Sequence, residues 1–162
     1  MTTRAGQQPL RAAAPRRCTP SSNPMTDQEA AQAANQGFYD AFNAQDLKRM
    51  QEVWQEGEQA VCIHPGWPVL KGSPAILKSW KDIFEHTDHM EIRLTRLTVL
   101  AAGEMAWISC QENLFSINPQ GVQKSAVHAT NLFRRQGGGW KMILHHAAAI
   151  PAHDTGNDPA TG

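Results

Sequence analysis

The last third of the chain sets the tightest limit on its fold: three extended runs are joined by two short turns marked by glycine. Residues 105–116 lead through Asn118-Pro119-Gln120-Gly121 into 123–135, and Gln136-Gly137-Gly138-Gly139 leads into 140–150. Turns this short join strands as antiparallel hairpins, so the three runs form a meander. Turn length also sets register, and register decides which side chains share a face.

With the first turn at 118–121, Glu112 lies opposite Val127 and Cys110 opposite Ala129. With the second at 136–139, Phe133 lies opposite Met142, Asn131 opposite Leu144 and Ala129 opposite His146. One face then gathers Ile108, Cys110, Glu112, Val127, Ala129, Asn131, Phe133, Met142, Leu144 and His146. It is the more apolar face and is assigned to the core. The other carries Trp107, Ser109, Gln111, His128, Thr130, Leu132, Ile143 and His145, a mixture suited to a subunit interface. One inserted residue exchanges the two sets.

Upstream, Thr26-Asp27-Gln28-Glu29 is a capping box, and Ala31, Ala34, Phe38, Ala41 and Phe42 recur at helical spacing to Asn43. Asp46 caps a shorter helix with Leu47, Met50, Val53 and Trp54 on its apolar stripe. Residues 59–64 and 69–71 read as short strands around Pro65-Gly66-Trp67-Pro68. Ser73 as cap and Pro74 at the first helical position open a third helix, with Ile76, Leu77, Trp80, Ile83 and Phe84 on one stripe. A strand at 91–100 precedes the meander. Helices followed by strands predict an α+β fold: a curved antiparallel sheet with three helices on its concave face.

The 162 residues suffice for one domain with tails. Three segments are expected: a disordered basic tail at 1–25, a folded domain at 26–150 and a flexible tail at 151–162. Two readings of the first stand, a transit-like extension or residues upstream of a start at Met25. The chain has 15 basic and 15 acidic residues, but Arg4, Arg11, Arg16 and Arg17 precede the first acid, Asp27, so the remainder is mildly acidic. That balance argues against a nucleic-acid partner. No apolar run reaches the roughly 20 residues of a membrane span. Three cysteines without paired spacing suggest free thiols in a reducing cytoplasm.

Phe38-Tyr39-Asp40-Ala41-Phe42-Asn43-Ala44-Gln45-Asp46 resembles the opening helix of the nuclear-transport-factor-two-like, or SnoaL-like, superfamily. Cys62-Ile63-His64-Pro65-Gly66-Trp67, Ile76-Leu77-Lys78-Ser79-Trp80 and the closing Gly138-Gly139-Trp140-Lys141-Met142-Ile143-Leu144-His145-His146 resemble one bacterial branch of it. The resemblance, over about residues 27–150, implies a cone fold, usually dimeric through the open sheet face, with a pocket between sheet and helices. It does not choose among the chemistries this superfamily hosts.

The expected pocket residues are Tyr39, His64, Trp67, Trp80, Glu112, Asn131 and His146. His146 and Glu112 are the acid–base pair if the protein is an enzyme, with Asn131 as a carbonyl donor. The alternative is a polar trio satisfied by its own hydrogen bonds. His64 sits before Pro65 at the expected mouth, with Trp67 as an apolar lid. No Asp falls on a meander strand, and Arg93 and Arg96 have no acidic partner legible in the sequence. The cluster Asp82, His86, Asp88 and His89 at a helix end lacks metal-ligand spacing, so neither metal nor cofactor is expected. The reading is a homodimeric, cytoplasmic binding domain for a small, largely apolar molecule. The alternatives are a cofactor-independent lyase or isomerase and a non-catalytic association module.

Overall fold

The computed structural model describes residues 24–87, 90–119 and 121–150, without the side chains of Ile117 and Asn118. The two expected tails fall almost wholly outside the described residues, as do Asp88, His89 and Gln120. Thr26 starts helix α1 (Asp27–Asn43) with the expected capping box: its hydroxyl accepts from Glu29 N at 3.2 Å, and Glu29 Oε2 accepts from Thr26 N at 2.7 Å. Asp46 caps α2 (Leu47–Val53), its carboxylate accepting from Arg49 N at 3.0 Å. Strands β1 (Val61–Ile63) and β2 (Leu70–Lys71) flank the proline-rich loop.

Helix α3 (Ser73–His86) begins one residue earlier than the sequence suggests. Gly72 is its cap, at φ 79°, and Ser73 turns back so that its Oγ accepts from Gly57 N at 3.0 Å. A left-handed backbone at the cap suits glycine, and the serine is thereby released to tie down the preceding loop.

The remaining strands are β3 (Met90–Ala102), β4 (Met105–Asn118), β5 (Gly121–Gln136) and β6 (Gly139–Ala149). The six strands form one sheet in the order β2-β1-β6-β5-β4-β3, antiparallel except where β1 runs parallel to β6. Phe38, Tyr39 and Phe42 of α1, Met50 of α2 and Ile76 and Trp80 of α3 are buried with the sheet residues Ile108, Cys110, Phe133 and Met142. The architecture is the expected α+β cone. The Asn43 side chain at the end of α1 bonds both backbone groups of Ile92, accepting from N at 2.8 Å and donating to O at 3.0 Å. The helix is thereby pinned to the outermost strand.

Register follows expectation between β4 and β5, where Glu112 pairs with Val127 and Cys110 with Ala129. Between β5 and β6 it does so only near the turn. Phe133 pairs with Met142, but a bulge follows, and Leu132 pairs with Leu144, Asn131 with His145 and Ala129 with Ala147. The expected pairs Asn131–Leu144 and Ala129–His146 do not form. Ile143 is the extra residue, and the pleat beyond it is reversed from the uninterrupted count.

The cause lies on the other edge of β6. Met142 is bridged by Trp54 and its carbonyl accepts from Gln55 N at 2.9 Å, whereas from Leu144 onward β6 pairs with β1. The bulge sits where one neighbour replaces the other.

Candidate functional site

The bulge decides which histidine enters the core. His145 is 3% exposed and lies on the inner face, while His146 is exposed on the outer one. His146 therefore does not join Glu112 and Asn131, and His145 takes the place expected for it.

Four elements contribute to one buried polar chain. Tyr39 of α1 donates its hydroxyl hydrogen to Glu112 Oε1 on β4 at 2.7 Å. Asn131 of β5 donates from its amide nitrogen to the Tyr39 oxygen at 3.0 Å and to Asn35 Oδ1 at 2.8 Å. His145 of β6 bonds Asn131 Oδ1 through Nδ1 at 2.7 Å. The Cys110 sulfur lies 3.4 Å from the Tyr39 oxygen. Asn35 was not among the expected residues, yet a signal existed: it stands four residues after Ala31 and four before Tyr39, on the buried stripe of α1.

A second histidine approaches from the loop after β1. His64 Nε2 lies 2.9 Å from Ser79 Oγ, and its ring meets Trp80 and Trp67 edge-on at 4.6 and 5.0 Å between centroids. The rings of His64 and His145 are 6.4 Å apart.

These groups border a cavity of about 260 Å³, whose lining includes Phe42, His64, Trp67, Trp80, Ile92, Glu112, Leu114, Val127 and His145. Trp67, 45% exposed, stands at its edge. Of the expected pocket residues, His64, Trp67, Trp80 and Glu112 line the cavity, and Tyr39 and Asn131 hold the polar chain behind it. Two larger surface depressions, of about 500 and 390 Å³, flank α2, share no lining residue with this cavity and contain no histidine or buried acid among the described residues. We place the site in the smaller cavity because the polar chain ends there.

Burial sets the protonation states. It pushes the Glu112 carboxyl up to about 7 despite the Tyr39 hydrogen bond, which favours the anion. It drives His64 down to about 4. His145 falls to about 3, through burial first and then its neighbours His64 and His146. Burial also raises the Cys62 and Cys110 thiols to about 12 and about 11, and holds Tyr39 well above its usual value with help from Glu112. Near neutrality the site thus holds two neutral imidazoles and one carboxyl close to half-protonation.

Elsewhere, Arg93 has an acidic partner that the sequence did not reveal, Glu91 at 2.9 Å on its own strand. Asp82 is engaged by Lys78 at 2.6 Å, and the carbonyl of Asp82 lies 2.8 Å from His86 Nδ1. No helix among the described residues is long and apolar enough to cross a membrane.

Residues 31–153 match the family described as the SnoaL-like domain. A proposed dehydratase of the NTF2-like family from Streptomyces avermitilis is 33% identical with a TM-score of 0.74, the match covering 80% of this chain and 100% of that one. A proposed calcium/calmodulin-dependent protein kinase type II association domain from Thiobacillus denitrificans is 30% identical with a TM-score of 0.67, over 74% of this chain and 94% of the other. The F-box protein SKIP8 of Arabidopsis thaliana is 21% identical over 75% of this chain, which spans only 50% of that protein's length.

Proposed function

This chain belongs to the SnoaL-like domain family, and from that premise we propose that it binds a small, largely apolar molecule in the cavity between sheet and helices. The observation that carries this reading is Glu112. It is a buried carboxyl on an apolar wall, bonded on one side by Tyr39, with Oε2 bearing no hydrogen-bond partner among the described residues. A carboxyl so desolvated costs stability, and perturbed groups beside a cavity are characteristic of binding and reaction sites. At about 260 Å³ the space suits a molecule at the small end of the usual range. Mass spectrometry of small molecules released from purified protein tests this. A ligand should be recovered from the wild type and lost from Ala147→Phe, which fills the cavity wall. Equal recovery from both would refute the assignment.

A second reading is a cofactor-independent lyase in which Glu112 and His145 share acid–base work. It is favoured by the two neutral imidazoles beside a carboxyl poised near 7 and by the proposed dehydratase among the relatives. Turnover that falls at least a hundredfold in Glu112→Gln while binding survives distinguishes it from binding alone.

On the outer face, Leu100, Trp107 and Leu132 pair in sequence across β3, β4 and β5, and Leu100 and Trp107 are 47% and 38% exposed. This apolar stripe supports a homodimer, as does the likeness to an association domain. Light scattering should show a dimer that Trp107→Glu converts to monomer; a wild-type monomer at micromolar concentration refutes it. Two buried free thiols, Cys62 and Cys110, are in keeping with a cytoplasmic setting.

A further inference from the structure

Granted the binding role proposed above, we infer that the cavity selects ligands carrying a hydrogen-bond donor, a hydroxyl or an amine, and discriminates against carboxylates and carbonyls that only accept. The inference follows from where each hydrogen around the cavity is committed.

Ser79 has one hydroxyl hydrogen and gives it to the Ile76 carbonyl at 2.7 Å. Its 2.9 Å bond with His64 therefore takes the hydrogen from the imidazole Nε2, which leaves Nδ1 of His64 as a lone pair, with the Cys62 sulfur 3.9 Å away. Asn131 directs its amide hydrogens to Asn35 and Tyr39 and must accept with Oδ1, so His145 donates from Nδ1 and keeps a lone pair on Nε2. Tyr39 gives its hydrogen to Glu112 Oε1. What remains for a ligand is Glu112 Oε2 and the Nε2 lone pair of His145, the His64 Nδ1 lone pair already having the Cys62 thiol within reach.

Among the described residues nothing on the walls offsets this surplus of acceptors. The lining contains no Lys, Arg, Ser, Thr, Asn or Gln. Trp80 Nε1 has no partner but less than 1 Å² of accessible surface, so a ligand in the cavity does not reach it. Among the described lining residues the Trp67 indole, at the exposed edge, is the one remaining side-chain donor. With Glu112 ionised, an anion entering here meets a carboxylate and, among the described residues, no cation, in a site where its hydration is lost. A carbonyl leaves every acceptor unsatisfied, whereas an O–H or N–H satisfies one.

Four probes of similar shape read this out by calorimetry on the full chain at pH 8.5, where Glu112 is a carboxylate: 1-phenylethanol, 1-phenylethylamine, acetophenone and benzoate. The alcohol or the amine, whichever binds better, should exceed acetophenone by about tenfold, the value of one hydrogen bond, with benzoate weaker still. Which of the two leads identifies the donor. In Glu112→Gln the amide adds a donor, and the alcohol-to-ketone ratio should fall towards one.

A mutation-free arm covers the case in which that variant fails to fold. Lowering the pH to 5.5 places a hydrogen on Glu112, so acetophenone should gain on the alcohol. The groups facing Glu112 are Tyr39 from α1, Cys110 on its own strand, Cys62 and His64 from β1 and its loop, and His145 from β6. α3 brings Trp80 and Ile83, β3 Ile92 and β5 Val127, none of which titrates. With thiols at about 11 and about 12, imidazoles at about 4 and about 3 and Tyr39 well above its usual value, Glu112 is the one of these groups that changes state in that window. Benzoate or acetophenone binding as tightly as the alcohol and amine at pH 8.5 would overturn the donor inference and leave the binding role standing. Failure of all four to bind at millimolar concentration would overturn both.

Discussion

Strand β5 has two edges that behave differently. Against β4 it pairs without interruption from Met105–Arg134 to Asn118–Gly121. Against β6 it pairs regularly for four positions from the turn and then slips by one residue at Ile143. The first edge adjoins a strand that has a single other partner throughout, β3; the second adjoins one whose outer partner changes from Trp54 to β1 within two residues. Register near a hairpin is set by the turn, but further along it answers to whatever else the strand must pair with. The consequence at β6 is chemical: of two adjacent histidines, one is buried against Asn131 and the other faces outward.

Replacing each histidine by alanine breaks this contrast most directly. His145→Ala removes a ring packed 5.1 Å from Phe38 and leaves Asn131 Oδ1 without its donor. It should cost about 2–4 kcal/mol in denaturant unfolding. His146→Ala should stay within about 0.5 kcal/mol. Equal losses would mean that the two residues share the core.

The pH dependence of stability sharpens the same contrast. His64 and His145 bind protons less readily when folded, at about 4 and about 3 against the ordinary 6.5. Their contribution is complete above pH 6.5 and is lost as pH falls through that value towards the folded ones. Glu112 acts oppositely: raised from 4.5 to about 7, it contributes fully below pH 4.5 and loses its contribution as pH rises through about 7. Between roughly pH 4.5 and 6.5 two histidines outweigh one glutamate by about one proton, so stability should fall by about 1.4 kcal/mol per unit of acidification. His145→Gln and His64→Gln should each flatten that slope, and Glu112→Gln should steepen it. Urea midpoints across this range decide it, and a slope left unchanged by His145→Gln would break the assignment.

Tyr39→Phe keeps the packing and removes the oxygen that links Glu112 to Asn131. A loss of about 1–2 kcal/mol is expected. Because the Tyr39 bond favours ionised Glu112, its removal should raise the Glu112 pKa further, as carbon NMR of the carboxyl would show. A downward movement would mean that Tyr39 does not donate to Glu112.

What could be read in advance divides along the same line. Local chemistry marked both ends of α1 at Asp27 and Asn43, the caps of α1 and α2, and the inward position of Glu112, because capping boxes, helical spacing and a short turn act over a few residues. The burial of Asn35 was also legible, from its place on the helical stripe. His145 was not. Its inward position depends on Trp54 bridging Met142 and on β1 pairing in parallel from Val61, contacts more than 80 residues apart that leave no mark at Ile143. Two neighbouring histidines give no local reason to prefer either.

The smallest expected effect tests how far the second turn's authority extends. Gly137 and Gly138 hold φ of 60° and 80°, so both central positions of the turn lie in the left-handed region. Asparagine tolerates that region and alanine does so poorly. Gly137→Asn should therefore be nearly neutral, and Gly138→Ala should cost about 1 kcal/mol. If the turn controls only the pairs on its own side of the bulge, amide exchange in Gly138→Ala should quicken at Trp140 and Lys141 beyond the global loss of stability. His145, held by β1 and the Asn131 contact, and Ala147, paired with Ala129, should change only by that global amount. Excess exchange spreading evenly along β6 would show that the turn, rather than the bulge and its neighbours, keeps His145 inside.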